Sequence, residues 1–124
     1  DTTVFFEGKV YNKPANEKEA FDALSLLAGK SHEVYSAISV TTKERQETEY
    51  EKTKVYFKPL TNNEIRLYQQ SVHCYDKAGG YAIQGSGCLI VEKIEGDYTN
   101  VVGFPVNLVV KLLKNFGVNL WNYL

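Results

Sequence analysis

Apolar and polar residues alternate, or recur at helical spacing, along most of this chain. Residues 2 to 6, "TTVFF", are β-branched and aromatic, as a buried strand should be. "EGK" at 7 to 9 reads as a turn and "VYNKP" as the strand returning from it, with Pro14 forbidding a helix immediately before it. Asn16 is placed to cap a helix, with Glu19 three residues on. Ala20, Leu24, Leu27 and Ala28 then share one helical face until Gly29 stops it. "HEVYSAISVTT" alternates, with Val34, Ser36, Ile38 and Val40 on one side. "KERQETEYEK" reads as a charge-rich hairpin tip. "TKVYFKPL" follows as a second strand with Thr53, Val55 and Phe57 on one face, which predicts a long antiparallel pair.

The clearest local signal is "LTNNEI" at 60 to 65. Thr61 and Glu64 have capping-box spacing, and Leu60 and Ile65 have that of a hydrophobic staple, so a helix is predicted to run to about Gln70. A glycine-rich loop follows, then "CLIVEKI" as a strand, "EGD" as a turn and "PVNLVVKLLKNFG" as a helix. Val106, Val109, Val110 and Leu113 form the predicted apolar stripe of that helix. The tail "VNLWNYL" reads as a docked strand or extended segment. Interspersed strands and helices predict an α/β fold, a mixed central sheet with flanking helices.

Bulk properties narrow the function classes. A chain of 124 residues suits one domain, and 44% hydrophobic with 23% charged residues is a globular composition. A net charge of -1 gives no field to recruit nucleic acid or an anionic membrane. No apolar run approaches the ~20 residues of a spanning helix. Cys74 and Cys88 form neither a disulfide framework nor a zinc motif, and read as reduced thiols in a cytoplasmic protein. There is no methionine, and the first residues already read as a strand, so a portion on the N-terminal side is expected to be missing.

Candidate chemistry gathers in a few places. Lys13, beside Pro14, can offer an ammonium to a phosphate or be a solvated lysine. In "DKAGGYAIQG", Asp76 and Lys77 precede Gly79 and Gly80. Such a loop lets backbone N–H groups approach an anion, with Lys77 adding charge and Asp76 orienting the lysine or holding Mg²⁺ through water. The plain alternative is a polar loop with a surface ion pair. Gln84 carries donor and acceptor on one planar amide, which matches the O4 acceptor and N3–H donor of uracil or thymine. Alternatively it caps backbone groups in its own turn. Asp1, at a strand end, is a candidate general base or metal ligand. His32 reads as a packed histidine, and the nine tyrosines as core and interface residues.

Taken in order, "DTTVFFEGKVYNKP", "LLAGKSHEVYSAISV", "TKVYFKPLTNNEI", "DKAGGYAIQGSG" and "VEKIEGDYTNVVGFP" resemble the second part of a Maf-family nucleotide pyrophosphatase, with residues 1–124 as the C-terminal two-thirds of one domain. The resemblance implies an α/β fold like that of the inosine triphosphatases, N-terminally truncated here. The implied reaction is hydrolysis of nucleoside triphosphates to monophosphate and pyrophosphate with a divalent metal, Mg or Mn. The Asp of the family's "DT" motif, the proton acceptor and a metal contact, matches Asp1, and the Lys of "KP" matches Lys13. Asp76, Lys77 and Gly79 match the substrate loop. Thr2 and Gln84 match the positions tied to base choice, where the pyrimidine branch has Thr and the Gln of "IQG". The branch acting on 7-methylguanosine triphosphate typically has Gln and Glu. The expected substrates are therefore dTTP, UTP and modified pyrimidine nucleotides.

Two departures stand out. The family's opening Ser-x-Arg-Arg segment and the Glu and Lys after it are absent, and "HCYDKAG" replaces the usual "EPLDKAG". These keep two alternatives open: a non-catalytic Maf-like binding module, and a pyrophosphatase with methylated-purine specificity. The expected partners are a nucleoside triphosphate and, through apolar surface left uncovered, a second copy of the chain as a homodimer. Neither nucleic acid nor membrane is expected.

Overall fold

Strand-forming residues dominate both ends of the first hairpin, and the sheet grows from there. The computed structural model describes residues 2–72 and 76–124. Strands β1 (Thr2–Phe6), β2 (Lys9–Tyr11), β3 (Ser31–Thr41), β4 (Gln46–Phe57) and β5 (Val91–Glu95) form one sheet in the order β2-β1-β3-β4-β5. The α/β class with helices flanking a central sheet stands. All four pairings among the described residues are antiparallel, because hairpins join β1 to β2 and β3 to β4, and helix-bearing connections return the chain for the other two.

One sheet face is buried. Register sets Thr2 opposite Ser36, Val4 opposite Val34, Val34 opposite Thr53 and His32 opposite Val55, so period-two alternation brings their side chains to the same side. Helix α1 (Glu17–Leu27) lays Ala20, Ala23, Leu24 and Leu27 on the core, and α2 (Asn62–Ser71) adds Ile65 and Tyr68. Each fully buried leucine contributes roughly 1.5–3 kcal/mol. Leu24→Ala, at 1% exposure, would cost about 2–5 kcal/mol, because α1 cannot collapse onto a flat sheet to fill the void.

Both helix starts follow their local chemistry. The Asn16 side chain accepts from the Glu19 amide at 2.9 Å, and Thr61 and Glu64 complete a reciprocal capping box.

Four expectations need correction. The hairpin tip is confined to residues 42–45. Strand β4 starts at Gln46, and the Glu- and Thr-rich stretch after it pairs residue for residue with β3, with one face of the ribbon exposed and the other half-buried. The run "CLIVEKI" is not one strand: residues Gly85–Leu89 form a 3₁₀ turn, and β5 begins at Val91. Helix α4 (Val106–Asn115) buries Leu108 and Leu112 rather than the predicted stripe, and Val106 is exposed. Pro105, at the start of the helix, is buried with the i, i+4 leucine pair. The tail ends in an exposed 3₁₀ turn, Leu120–Tyr123, and docks as no strand. A short helix that periodicity did not announce, α3 (Tyr98–Val102), packs beside β3 and β4.

Candidate nucleotide-binding cleft

The open end of the buried sheet face is a cleft of about 730 Å³, within the usual range for a small-molecule site. Its floor is strand: Val4 from β1 and Val34 from β3, with Val101 of α3 alongside. Its rims are three loop segments far apart in sequence. Thr2 opens β1, Asn12 and Lys13 follow β2, and residues 76–78 and 81–84 come from the glycine-rich connection after α2. Thr2, Lys13, Asp76, Lys77 and Gln84 thus line one cavity. Asp1, the expected proton acceptor and metal contact, lies outside the described residues, as do His73 and Cys74.

Gly79 does not line the cleft. Its φ is +71°, and a Cβ there would meet the Val4 side chain at 3.1 Å. Its N–H donates to the Asn12 carbonyl at 3.4 Å, and that of Gly80 donates to the Lys77 carbonyl at 3.0 Å. Both amides are engaged within the protein, and the glycines let the loop approach β1 and α1 closely. Gly87 answers a still tighter constraint, since a Cβ would stand 1.8 Å from the Ala82 carbonyl oxygen. That close approach folds residues 82–87 back on themselves. The Tyr68 hydroxyl locks the fold-back, accepting from the Ala82 amide at 3.0 Å and donating to its carbonyl at 3.2 Å.

Gln84 stands at the exposed apex of this fold-back. Its backbone carbonyl accepts from the Gly87 amide at 3.2 Å, yet its side chain makes no capping hydrogen bond with the 3₁₀ turn that follows and bonds to no other described residue. The alternative that Gln84 serves its own turn is thereby removed. Lys77 Nζ lies 2.8 Å from Asp76 Oδ1, the surface ion pair of the plain reading, though both residues line the cleft.

Tyr81 joins cleft to core. Its ring packs edge-on against Phe57, and its hydroxyl lies 2.6 Å from Nε2 of His32, which is 2% exposed. Burial lowers the His32 pKa to about 4 and pushes the Tyr81 phenol upward. His32 is a neutral packed residue, as expected, and its buried Nδ1 has no partner among the described residues.

Sequence reasoning missed Tyr81, Asn100, Ser36 and the α3 residues Val101 and Val102. The signals for α3 were present: Asp97 as N-cap, accepting from the Thr99 amide at 2.8 Å, Gly103 at its end and Pro105 beyond. A five-residue helix is too short for periodicity to show.

A family profile described as "Maf-like protein" matches residues 1–116. The chain belongs to the Maf family. The Maf chain is 46% identical over 119 residues to a dTTP/UTP pyrophosphatase of Bacillus cereus (strain ATCC 14579), covering 96% of itself and 62% of that relative. It is 48% identical over 118 residues to the dTTP/UTP pyrophosphatase of Bacillus pumilus (strain SAFR-032), covering 95% of itself and again 62% of the relative. The Maf chain therefore spans less than two-thirds of the length of these relatives. No helix among the described residues is long and apolar enough to cross a membrane.

Proposed function

We propose that this chain forms the base- and phosphate-binding part of a pyrophosphatase that hydrolyses dTTP and UTP to the monophosphate and pyrophosphate. The observation that carries this reading is the unspent amide of Gln84 on the rim of a cavity shared with Lys13 and Lys77. Its donor and acceptor match the edge of uracil or thymine, and two ammonium groups on the same cleft match a polyphosphate. The names of the similar proteins agree with that chemistry.

In the proposed reaction, water attacks the α-phosphorus, a new P–O bond forms, and the bond to the bridging oxygen breaks, releasing pyrophosphate. Asp1 takes the water's proton. Lys13 and Lys77 offset charge on the phosphate oxygens. Among the described residues no group of three His, Cys, Asp or Glu side chains could hold a metal, and the cleft offers one carboxylate, Asp76. That donor set fits a Mg²⁺ or Mn²⁺ that keeps most of its waters and is bound mainly through substrate phosphates. Such an ion would neutralise phosphate charge, with Asp76 as a contact through water. The reading places the protein in the cytoplasm with free nucleotides, and the exposed Phe104 and Val106 suit a homodimer contact.

The test is pyrophosphate release from dTTP, UTP and 7-methylguanosine triphosphate with Mg²⁺ or Mn²⁺, using this chain and the full-length protein. Release from dTTP and UTP by the full-length protein is expected. Release only from the methylated purine, or from none, overturns the reading, and the latter leaves a binding module.

A further inference from the structure

Thr2 Oγ1 and Ser36 Oγ lie 2.9 Å apart, and Ser36 Oγ lies 3.4 Å from the Asn100 carbonyl oxygen. Each hydroxyl has one proton, whereas a carbonyl has none to give. The Asn100 carbonyl also accepts from the Gly103 amide, so it is fixed as the end of the chain. If Ser36 gave its proton to Thr2, two acceptors would face each other inside the protein, where Ser36 is 1% exposed. If Ser36 gives it to Asn100, Thr2 must give its own to Ser36, and both hydrogen bonds form. The second arrangement wins, because an unmade buried hydrogen bond is the costlier state.

Asn100 itself is held on several sides. It is fully buried, and its Nδ2 donates to the carbonyls of Val34 and Glu51 and to Thr53 Oγ1 across two strands. We infer that Ser36, anchored on the Asn100 carbonyl, holds the Thr2 hydroxyl as an acceptor toward the cleft, and so acts as a positioning residue that favours bases carrying a ring N–H. This rests on the nucleotide reading above and deepens it. Uracil and thymine present N3–H, which such an oxygen accepts in a three-centre bond together with the Gln84 amide oxygen. Cytosine presents a bare N3 at the same place, and two acceptors repel. Gln84 then supplies the donor that the base carbonyl needs.

The experiment is calorimetric binding of UMP and CMP to the protein and its Ser36→Ala and Thr2→Val variants. The unaltered protein is expected to prefer UMP by roughly tenfold. In Ser36→Ala the Thr2 hydroxyl is free to turn and donate, so the preference should shrink to about twofold, chiefly through tighter CMP binding. A serine that only supported the fold would weaken both ligands together. An intact preference in folded Ser36→Ala overturns the inference. If Thr2→Val nevertheless loses the preference, the nucleotide reading survives it. Equal binding of UMP and CMP by the unaltered protein, or no binding, overturns both. Should Ser36→Ala fail to fold, Ser36→Cys, nearly isosteric and a poor acceptor, reads out the same ratio.

Discussion

The Cα of Gly87 sits so close to Ala82 that any side chain would overlap its carbonyl oxygen, the added Cβ falling 1.8 Å away. That contact sets the shape of the segment presenting Gln84. Gly87→Ala is expected to cost about 3 kcal/mol, the upper end for overpacking, and to abolish measurable nucleotide binding. Gly85→Ala is the control: its φ of +60° faces open space, so only the left-handed backbone penalty of about 1–2 kcal/mol applies. Thermal melts of the two variants should separate clearly, and equal melting points would refute the contact's importance.

Gln84→Glu replaces the amide's donor with a second acceptor. The expected outcome is a loss of roughly tenfold or more in kcat/KM for UTP and dTTP, with little change in melting temperature, because the residue is exposed and its side chain bonds no other described residue. Unchanged pyrimidine kinetics would remove Gln84 from the base site.

Lys13→Ala should separate phosphate from base recognition. Triphosphate binding is expected to weaken about tenfold and the salt dependence of binding to flatten, while the UMP-to-CMP ratio stays put. A shift in that ratio with intact triphosphate affinity would reverse the assignment.

His32 makes stability depend on pH. Its folded pKa of about 4 is below the unfolded 6.5, so between those values the unfolded chain binds the extra proton. Stability is full above about pH 6.5 and falls as pH drops toward 4, by roughly 3 kcal/mol at that limit. His32→Gln should flatten this limb of the denaturant-unfolding profile. An equally steep limb in the variant would assign the acid sensitivity to carboxylates instead.

Legibility from sequence followed the length of each signal. The helix at Glu17–Leu27 and the capping box at Thr61 were readable because cap, period and stop agree within one segment. The β3–β4 pair was readable near the core, where Val34, Val55 and Phe57 alternate with polar neighbours. It was misjudged beyond it, where the start of β4, "QETEYEK", carries one apolar residue and so shows no strand period. In α4 several registers of Val and Leu are equally apolar, so only docking on the sheet, through Pro105, Leu108 and Leu112, chooses one. For the cleft, residue types with conspicuous chemistry were found, namely Lys13, Lys77 and Gln84. Ser36 and Asn100 were not, since their importance lies in which hydrogen bonds antiparallel register lets them make.

Tyr81 belongs to two neighbourhoods, with its ring among the core aromatics while the residue also lines the cleft. Substrate occupancy and acid resistance therefore become two readings of one equilibrium. A bound nucleotide that holds Tyr81 in place keeps protons off the histidine behind it, so a loaded protein should survive acid that unfolds an empty one. By reciprocity, acid near pH 4, where folded His32 takes up its proton, should weaken nucleotide binding.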